Sequence, residues 1–460
     1  MYKIVIYNFE KTYLLAELIN VFLRPDQYKI YTEEELTALT DEDKAGLLEF
    51  NKSRDLDKDT IKREIYDKLS QLTGAKPKWG VLTGIRPVKL FGETYHRLGS
   101  LEAAKDYLTN YYYVSHEKIE LISKMYLNQL ENIGIAEKDS AGVYVGIPFC
   151  PTRCVYCSFA SNQVEYEEIG KYVLALEEEI KQVGKSMKES GVCAETIYIG
   201  GGTPTTLSAE DLDMLLDTIE ESIELSKVKE FTVEAGRPDT ITLEKLEVLK
   251  SHGIKRISIN PQTMKDHTLE LIGRKHKVDE IVKAFGLARQ VGFDVINADI
   301  IAGLPEEDLE DFKKTLDELM KLEPENVTVH SLTVKRASKL KDLDPDYHYK
   351  QAELVKEMVS YAMEYLGERG YEPYYLYRQK HMAGACENIG YAKKGCENIY
   401  NMRIMDEHQS IIALGAGGIS KAYDYDKKTL ERVPNVYNYV EYINRVDEMI
   451  DRKNKKIFGR

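Results

Sequence analysis

Hydrophobic and polar positions change period repeatedly along this chain. From Gly142 onward a short β-branched run gives way to an amphipathic stretch of helical spacing, again and again. The strand-like runs are Val143–Ile147, Thr196–Ile199, Glu230–Glu234, Arg256–Asn260, Asp294–Ile301 and Asn326–His330. Each closes near Gly, Pro or a polar residue. Between them lie the helical stretches Ile169–Lys188, Ala209–Ile223, Leu243–Ser251, Val278–Val291 and Leu309–Lys321. Six such units in succession predict an α/β fold with a parallel sheet and outer helices. Ligands of such a sheet gather at the carboxyl ends of its strands.

The flanking stretches read differently. Tyr2 to Tyr7 predicts a short strand. Lys11 to Leu23 predicts a helix, with Leu14, Leu15, Leu18, Ile19 and Phe22 on one face. Asp41 to Leu72 reads as a charged helix, Lys78 to Pro87 has no period, and helices follow over Ser100–Leu108 and Ser115–Asn132. Residues 1–140 are thus expected to form an N-terminal α+β extension, and 141–345 the repeating core. Residues 346–460 read as a long helix, an irregular Gly- and Tyr-rich region and a final helix, a mostly helical closing region.

Composition narrows the function classes. The 460 residues carry a formal charge of −14, which argues against nonspecific nucleic-acid or anionic-membrane binding. Six cysteines are too few for a disulfide scaffold. No run of about 18 apolar residues occurs, and the first residues lack a secretory pattern. A cytoplasmic protein with reduced thiols and no membrane partner is expected.

Three of those cysteines fall within eight positions, Cys150-Pro-Thr-Arg-Cys154-Val-Tyr-Cys157, directly after the first core strand. Thiolates are soft ligands suited to zinc or an iron–sulfur cluster. Structural zinc generally takes four protein ligands, often as two separated pairs. Three thiols on a [4Fe–4S] cluster would leave one iron open to another ligand. After the second strand comes Gly200-Gly201-Gly202-Thr203-Pro204-Thr205, where glycines let the backbone approach a ligand closely.

The C-x3-C-x-aromatic-C spacing after a first strand resembles the signature of the radical SAM superfamily. Val143-Tyr144-Val145-Gly146-Ile147-Pro148-Phe149-Cys150 resembles its oxygen-independent coproporphyrinogen III oxidase, or HemN-like, group. Thr83-Gly84-Ile85-Arg86-Pro87 and Met382-Ala383-Gly384 look like the HemZ branch. The resemblance implies a partial (β/α)6 barrel holding a [4Fe–4S] cluster on Cys150, Cys154 and Cys157, with S-adenosylmethionine (SAM) on the open iron. It implies cofactor contacts from Gly200, Gly201, Gly202, Thr203, Glu234, Gln262, Arg274 and Asp299. Tyr144 matches a family tyrosine beside the cluster.

Two positions depart from the better-known members: Gly146 stands where they carry His, and Phe159 where the oxidase tends to carry a fourth Cys. Leu414-Gly415-Ala416-Gly417-Gly418-Ile419-Ser420 has no helix pattern behind it, which disfavours a dinucleotide loop. By resemblance it closes over the cofactor or substrate. Cys193, Cys386 and Cys396 read as free thiols, and His381 as an exposed or hydrogen-bonded histidine.

The implied reaction is radical SAM chemistry on a tetrapyrrole, foremost oxidative decarboxylation of coproporphyrinogen III propionates to the vinyl groups of protoporphyrinogen IX. The implied partners are that tetrapyrrole and an electron donor such as a flavodoxin or ferredoxin. Lys335, Arg336, Arg378, Lys380, Arg403 and Lys421 are candidate clamps for its carboxylates. Two alternatives share the barrel: another radical SAM reaction on a tetrapyrrole, such as haem methylation with ring opening, and a HemW-type haem chaperone. The chaperone group carries H-N-x-x-Y-W before the late glycine loop. The comparable stretch here is Glu397-Asn398-Ile399-Tyr400-Asn401-Met402, which keeps only the Asn, and the single Trp is Trp79.

Overall fold

The computed structural model describes residues 1–9, 11–40, 44, 46–51, 57–84, 86–159, 161–335, 338–344, 346–379 and 382–459. The chain divides into two compact units. One is Met1–Leu127 with Arg378–Lys380, and the other is Asn128–Tyr377 with His381–Arg460.

The smaller unit is built on a three-stranded parallel sheet. Its strands are β1 (Tyr2–Ile6), β2 (Tyr28–Tyr31) and β3 (Leu48–Phe50), in the order β2-β1-β3. Helices Tyr13–Phe22 and Lys58–Thr73 bury Leu15, Leu18, Ile61 and Ile65 against Ile4, Ile6 and Phe50. The pattern predicted a single strand here and a helix from Asp41. The structure instead has two further strands, of four and three residues, too short to display an alternation. The helix that ends at Thr73 starts at Lys58, where the Asp57 side chain accepts from the backbone N–H of Asp59 and Thr60; residues 41–43, 45 and 52–56 of the predicted helix lie outside the described residues.

In the larger unit the six core runs form parallel strands. They are β4 (Ser140–Ile147), β5 (Cys193–Gly201), β6 (Glu230–Gly236), β7 (Arg256–Ile259), β8 (Val295–Ala302) and β9 (Asn326–Ser331). Helices connect them, and several have strong end signals. Ser208 and Asp308 form capping boxes with Asp211 and Asp311, while Gly191 and Gly292 end helices in the left-handed conformation.

The closing region needs one correction. Its helices are present, but five strands run among them: β10 (Glu372–Tyr377), β11 (Asn388–Ala392), β12 (Ser410–Leu414), β13 (Ile419–Asp424) and β14 (Thr429–Pro434). They extend the six-stranded sheet at both edges, in the order β10-β11-β9-β8-β7-β6-β5-β4-β12-β13-β14. β11 runs antiparallel to β9, whereas β12 runs parallel to β4, with Ile411 opposite Gly142 and Leu414 opposite Val145.

The strands are two-faced. Val143, Val145, Ile147, Ile197, Ile199 and Val233 are fully buried. The alternate positions carry Tyr144, Gly146, Tyr198, Gly200 and Glu234. A parallel sheet buried in apolar contacts on both faces reads as a continuous hydrophobic run. This alternation marks one face as the lining of a polar interior.

Candidate active site

The three-cysteine segment leaves the carboxyl end of β4 and is closed at its base. Cys150 N–H donates to Asn162 O (3.1 Å), and Asn162 N–H donates back to Pro148 O (2.8 Å). A tight turn brings Cys157 N–H onto Cys154 O (3.2 Å). All three thiols are free, and Cys154 is buried. Burial pushes the Cys150 thiol up to about 11 and raises that of Cys157 as well. Cys150 and Cys157 therefore favour the protonated form until a cation stabilises the thiolate.

The glycine triplet after β5 lies directly beside this loop. Gly202 N–H donates to Ile147 O (2.7 Å) and Thr203 N–H to Phe149 O (2.8 Å), while Thr203 Oγ1 is 3.4 Å from Cys150 Sγ. A Cβ on Gly202 would fall 2.4 Å from Phe149 O and 3.0 Å from Cys150 Sγ, so no side chain fits. Gly146 is restricted too. A Cβ there would meet Leu414 O and the Tyr144 ring at 3.3 Å, because β12 and the late glycine loop lie alongside. A larger side chain here would need these neighbours to shift by a few tenths of an ångström.

Inside the sheet the polar face is dominated by tyrosine. Tyr198 stacks on Tyr400 with 4.6 Å between ring centroids, and Tyr144 lies 6.3 Å from both, all nearly parallel. Tyr198 donates a hydrogen bond to Glu234 Oε1. Burial raises the Glu234 carboxyl to about 7, and the nearby Asp299 charge adds to the rise. Asp299 behaves oppositely. Burial opposes its charge, yet hydrogen bonding and charge from His330, with Asn297 and Thr328 assisting, hold it below the ordinary carboxylate range. Asn297 Nδ2 donates to Asp299 Oδ1 (2.8 Å), and His330 Nε2 is 3.7 Å from Asp299 Oδ2. Tyr377 Oη lies 3.4 Å from His330 Nδ1. Two carboxyls in one interior are thereby split, one biased toward the acid and one toward the anion.

Gln262 and Arg274 come from the loops after β7. Gln262 N–H donates to Asp299 O (2.8 Å) and its carbonyl accepts from Ile301 N–H (3.0 Å), which holds the residue at φ +69°. Its buried Oε1 has no hydrogen-bond partner among the described residues. Arg274 is buried beside Cys154. It donates through Nη1 to Asn260 O (2.5 Å) and through Nη2 to Tyr156 Oη (3.3 Å), while its buried Nε has no hydrogen-bond partner among the described residues. Its fork therefore serves the cysteine-loop side of the site.

Residues 144–319 match the Radical SAM superfamily. Over 403 residues the chain is 41% identical to the oxygen-independent coproporphyrinogen-III oxidase-like protein HemZ of Bacillus subtilis, covering 86% of this chain and 80% of that protein. The chain belongs to this branch of the radical SAM superfamily. It is also 33% identical over 308 residues to the heme chaperone HemW of Bacillus subtilis, covering 66% of this chain and 76% of that one. Among solved structures it resembles coproporphyrinogen III oxidase (HemN) from Escherichia coli, a radical SAM enzyme. That match has a TM-score of 0.54, 21% identity, and coverage of 70% and 72% of the two chains; it shows the shared fold.

Radical SAM proteins use a [4Fe–4S] cluster and SAM, and the donor set here fits both. Three free thiols share one loop, the Gly202 turn leaves backbone where a side chain would collide, and Gln262 Oε1 is a buried acceptor without a partner. No helix of the described residues is long and apolar enough to cross a membrane.

Several expectations need correcting. Arg403 and Lys421 are not at the carboxyl ends of the strands. Arg403 makes a two-point contact with Glu195 near the start of β5 (2.8 and 2.9 Å), and Lys421 pairs with Glu407 (3.1 Å). Arg378 donates to Leu82 O (2.7 Å) in the smaller unit. Arg336, Lys380 and His381 lie outside the described residues. Lys335 remains, beside Cys157 and 5.3 Å above the Phe159 ring. Sequence reading missed Tyr198 and His330. Both sit on predicted strands two positions or fewer from the carboxyl end of the apolar run, and that placement was the available signal.

Proposed function

We propose that this chain is a radical SAM enzyme that decarboxylates two of the four propionates of coproporphyrinogen III to vinyl groups without oxygen, giving protoporphyrinogen IX. The observation that carries the reading is the coupled Tyr198–Glu234 and Asp299–His330 arrangement on the polar face of the sheet, beside a loop of three free thiols. Cys150, Cys154 and Cys157 would hold the cluster. The Gly200–Thr203 turn, Glu234, Gln262, Arg274 and Asp299 would hold SAM, with Tyr144 against it. When bound, these groups supply a one-electron reductive cleavage that starts hydrogen abstraction.

The chain's own residues do the rest. Asp299, kept anionic by its partners, accepts hydrogen bonds from a cationic or hydroxyl-bearing ligand. Glu234, near neutral pKa, can hold a proton at Oε2 while Tyr198 occupies Oε1. The tyrosine stack offers flat aromatic faces and keeps water from the interior. Lys335, half-buried beside Cys157, is a cation suited to a substrate carboxylate. The electron donor is expected to be a flavodoxin- or ferredoxin-type protein.

The test is anaerobic reconstitution with iron and sulfide, followed by SAM, reductant and coproporphyrinogen III. Two CO2 per protoporphyrinogen IX are expected. SAM cleavage without CO2 or vinyl product would sink the substrate assignment. The HemW relative makes haem carriage the second reading, and stable stoichiometric haem binding in a titration would favour it.

A further inference from the structure

The three-cysteine loop is gripped from outside by a residue that the cofactor assignments do not use. Arg237 follows β6 and is 3% exposed. Its orientation is fixed by Asp239 through a two-point contact, Nε to Oδ1 (2.9 Å) and Nη2 to Oδ2 (2.7 Å). That leaves Nη1 aimed at Thr152, midway between Cys150 and Cys154. Nη1 donates to Thr152 O (3.2 Å) and to Thr152 Oγ1 (2.5 Å). The same hydroxyl uses its single proton to donate to Gly273 O (2.8 Å), next to Arg274. A continuous line of hydrogen bonds thus runs from Asp239 through Arg237 and Thr152 to the turn carrying Arg274.

We propose that Arg237 is a positioning residue for the iron–sulfur cluster, acting through Thr152 to set the shape of the cysteine loop and its register against Arg274. The inference rests on Cys150, Cys154 and Cys157 being the cluster ligands and is independent of the substrate. A loop whose first two ligands are separated by Pro, Thr and Arg, and whose last two by Val and Tyr, has many shapes in isolation. A planar guanidinium held in a bidentate pair can grip a carbonyl and a hydroxyl together, so it selects one. Partners beyond the ligand shell commonly carry large effects on metal affinity.

The test compares Arg237→Leu, Thr152→Val and Thr152→Ser with the wild-type full chain after anaerobic reconstitution. Iron and sulfide content, cluster absorbance, the electron paramagnetic resonance of the reduced state and the rate of iron loss to a chelator are read. R237L takes from Asp239 its two-point partner, leaving His276 Nδ1 at 3.4 Å, and can fail to fold. T152V is isosteric and removes only the hydroxyl, and its far-ultraviolet circular dichroism should match wild type. R237L and T152V are expected to lose iron roughly 10-fold faster or more, with an altered resonance signal, whereas T152S behaves as wild type. Wild-type iron retention and resonance in T152V and in folded R237L would overturn the proposal. A wild-type chain that takes up no cluster would overturn both this proposal and the ligand assignment. Cluster uptake without decarboxylation would overturn only the substrate reading.

Discussion

At the scale of single residues the site separates like groups by environment. Glu234 and Asp299 share one interior, yet their carboxyls are driven apart. Glu234 is raised from 4.5 to about 7 by burial. Its folded form therefore binds a proton that the unfolded form has already released. The associated stability is complete below about pH 4.5 and is lost as pH rises through 7, on the order of 3 kcal/mol in all. Urea unfolding of the apoprotein at pH 5, 6, 7 and 8 should show this decline, and Glu234→Gln should remove that part of the slope. Lys335 supplies a second residue-scale prediction. Loss of a charged contact to a substrate carboxylate should raise KM about tenfold with little change in kcat in Lys335→Met, measured with coproporphyrinogen III. An unchanged KM would remove Lys335 from the substrate contacts.

The chemistry-bearing residues were unevenly legible in the sequence. Cys150, Cys154 and Cys157 declare themselves by spacing, and Gly202 by its place after a strand. Arg237 and Thr152 are ordinary types in loops, and only the fold brings them together. Arg403 looked like a surface cation available to a substrate; its burial against Glu195 depends on a partner 208 positions away, which no local pattern reveals.

At the scale of elements, the late glycine loop is fixed by a buried ion pair. Glu179, on helix Tyr166–Ser190, accepts from Gly415 N–H (2.7 Å) and Tyr442 Oη (2.7 Å) through one oxygen. Its other oxygen takes Lys453 Nζ (2.6 Å) and Asn435 Nδ2 (3.0 Å). Both members of the pair are 0% exposed. Replacing Lys453 by Met would strand the Glu179 carboxylate, and a loss of about 3–5 kcal/mol is expected in chemical denaturation. A loss below about 1 kcal/mol would mean that Tyr442, Asn435 and Gly415 suffice. The strands of this region escaped sequence reading for physical reasons. Glu372-Pro-Tyr-Tyr-Leu-Tyr377 has little alternation and a proline, tolerable because β10 is an edge strand. Asn388–Ala392 is buried at every position, so it lacks a polar face to report its period.

At the scale of the whole molecule, the repeating middle of the chain predicted six parallel strands, and these are present. What periodicity left out is that the sheet continues at both edges. β12 covers the free edge of β4, the strand that delivers the cysteine loop. Truncation before Ser410 would remove β12, β13 and β14 and bare that edge. Such an edge templates pairing with other chains. The truncated protein is expected in the insoluble fraction on expression, with no reconstitutable iron. A soluble truncated chain retaining the cluster would show that β4 holds its shape without β12.

The pairing of β4 with β12 also has a consequence in time. Gln409 and Ser140, at the start of that seam, are 269 positions apart. At ordinary rates of synthesis the ribosome needs on the order of 10–60 s to travel between them. Through that interval the nascent strand carrying Cys150 has an open flank, and the thiols are already made. Iron delivered before β12 is made would meet an unfinished site, so metallation is expected only once β12 has paired with β4. Pulse-labelled nascent chains arrested before residue 410 should therefore carry no cluster, and released chains should acquire one.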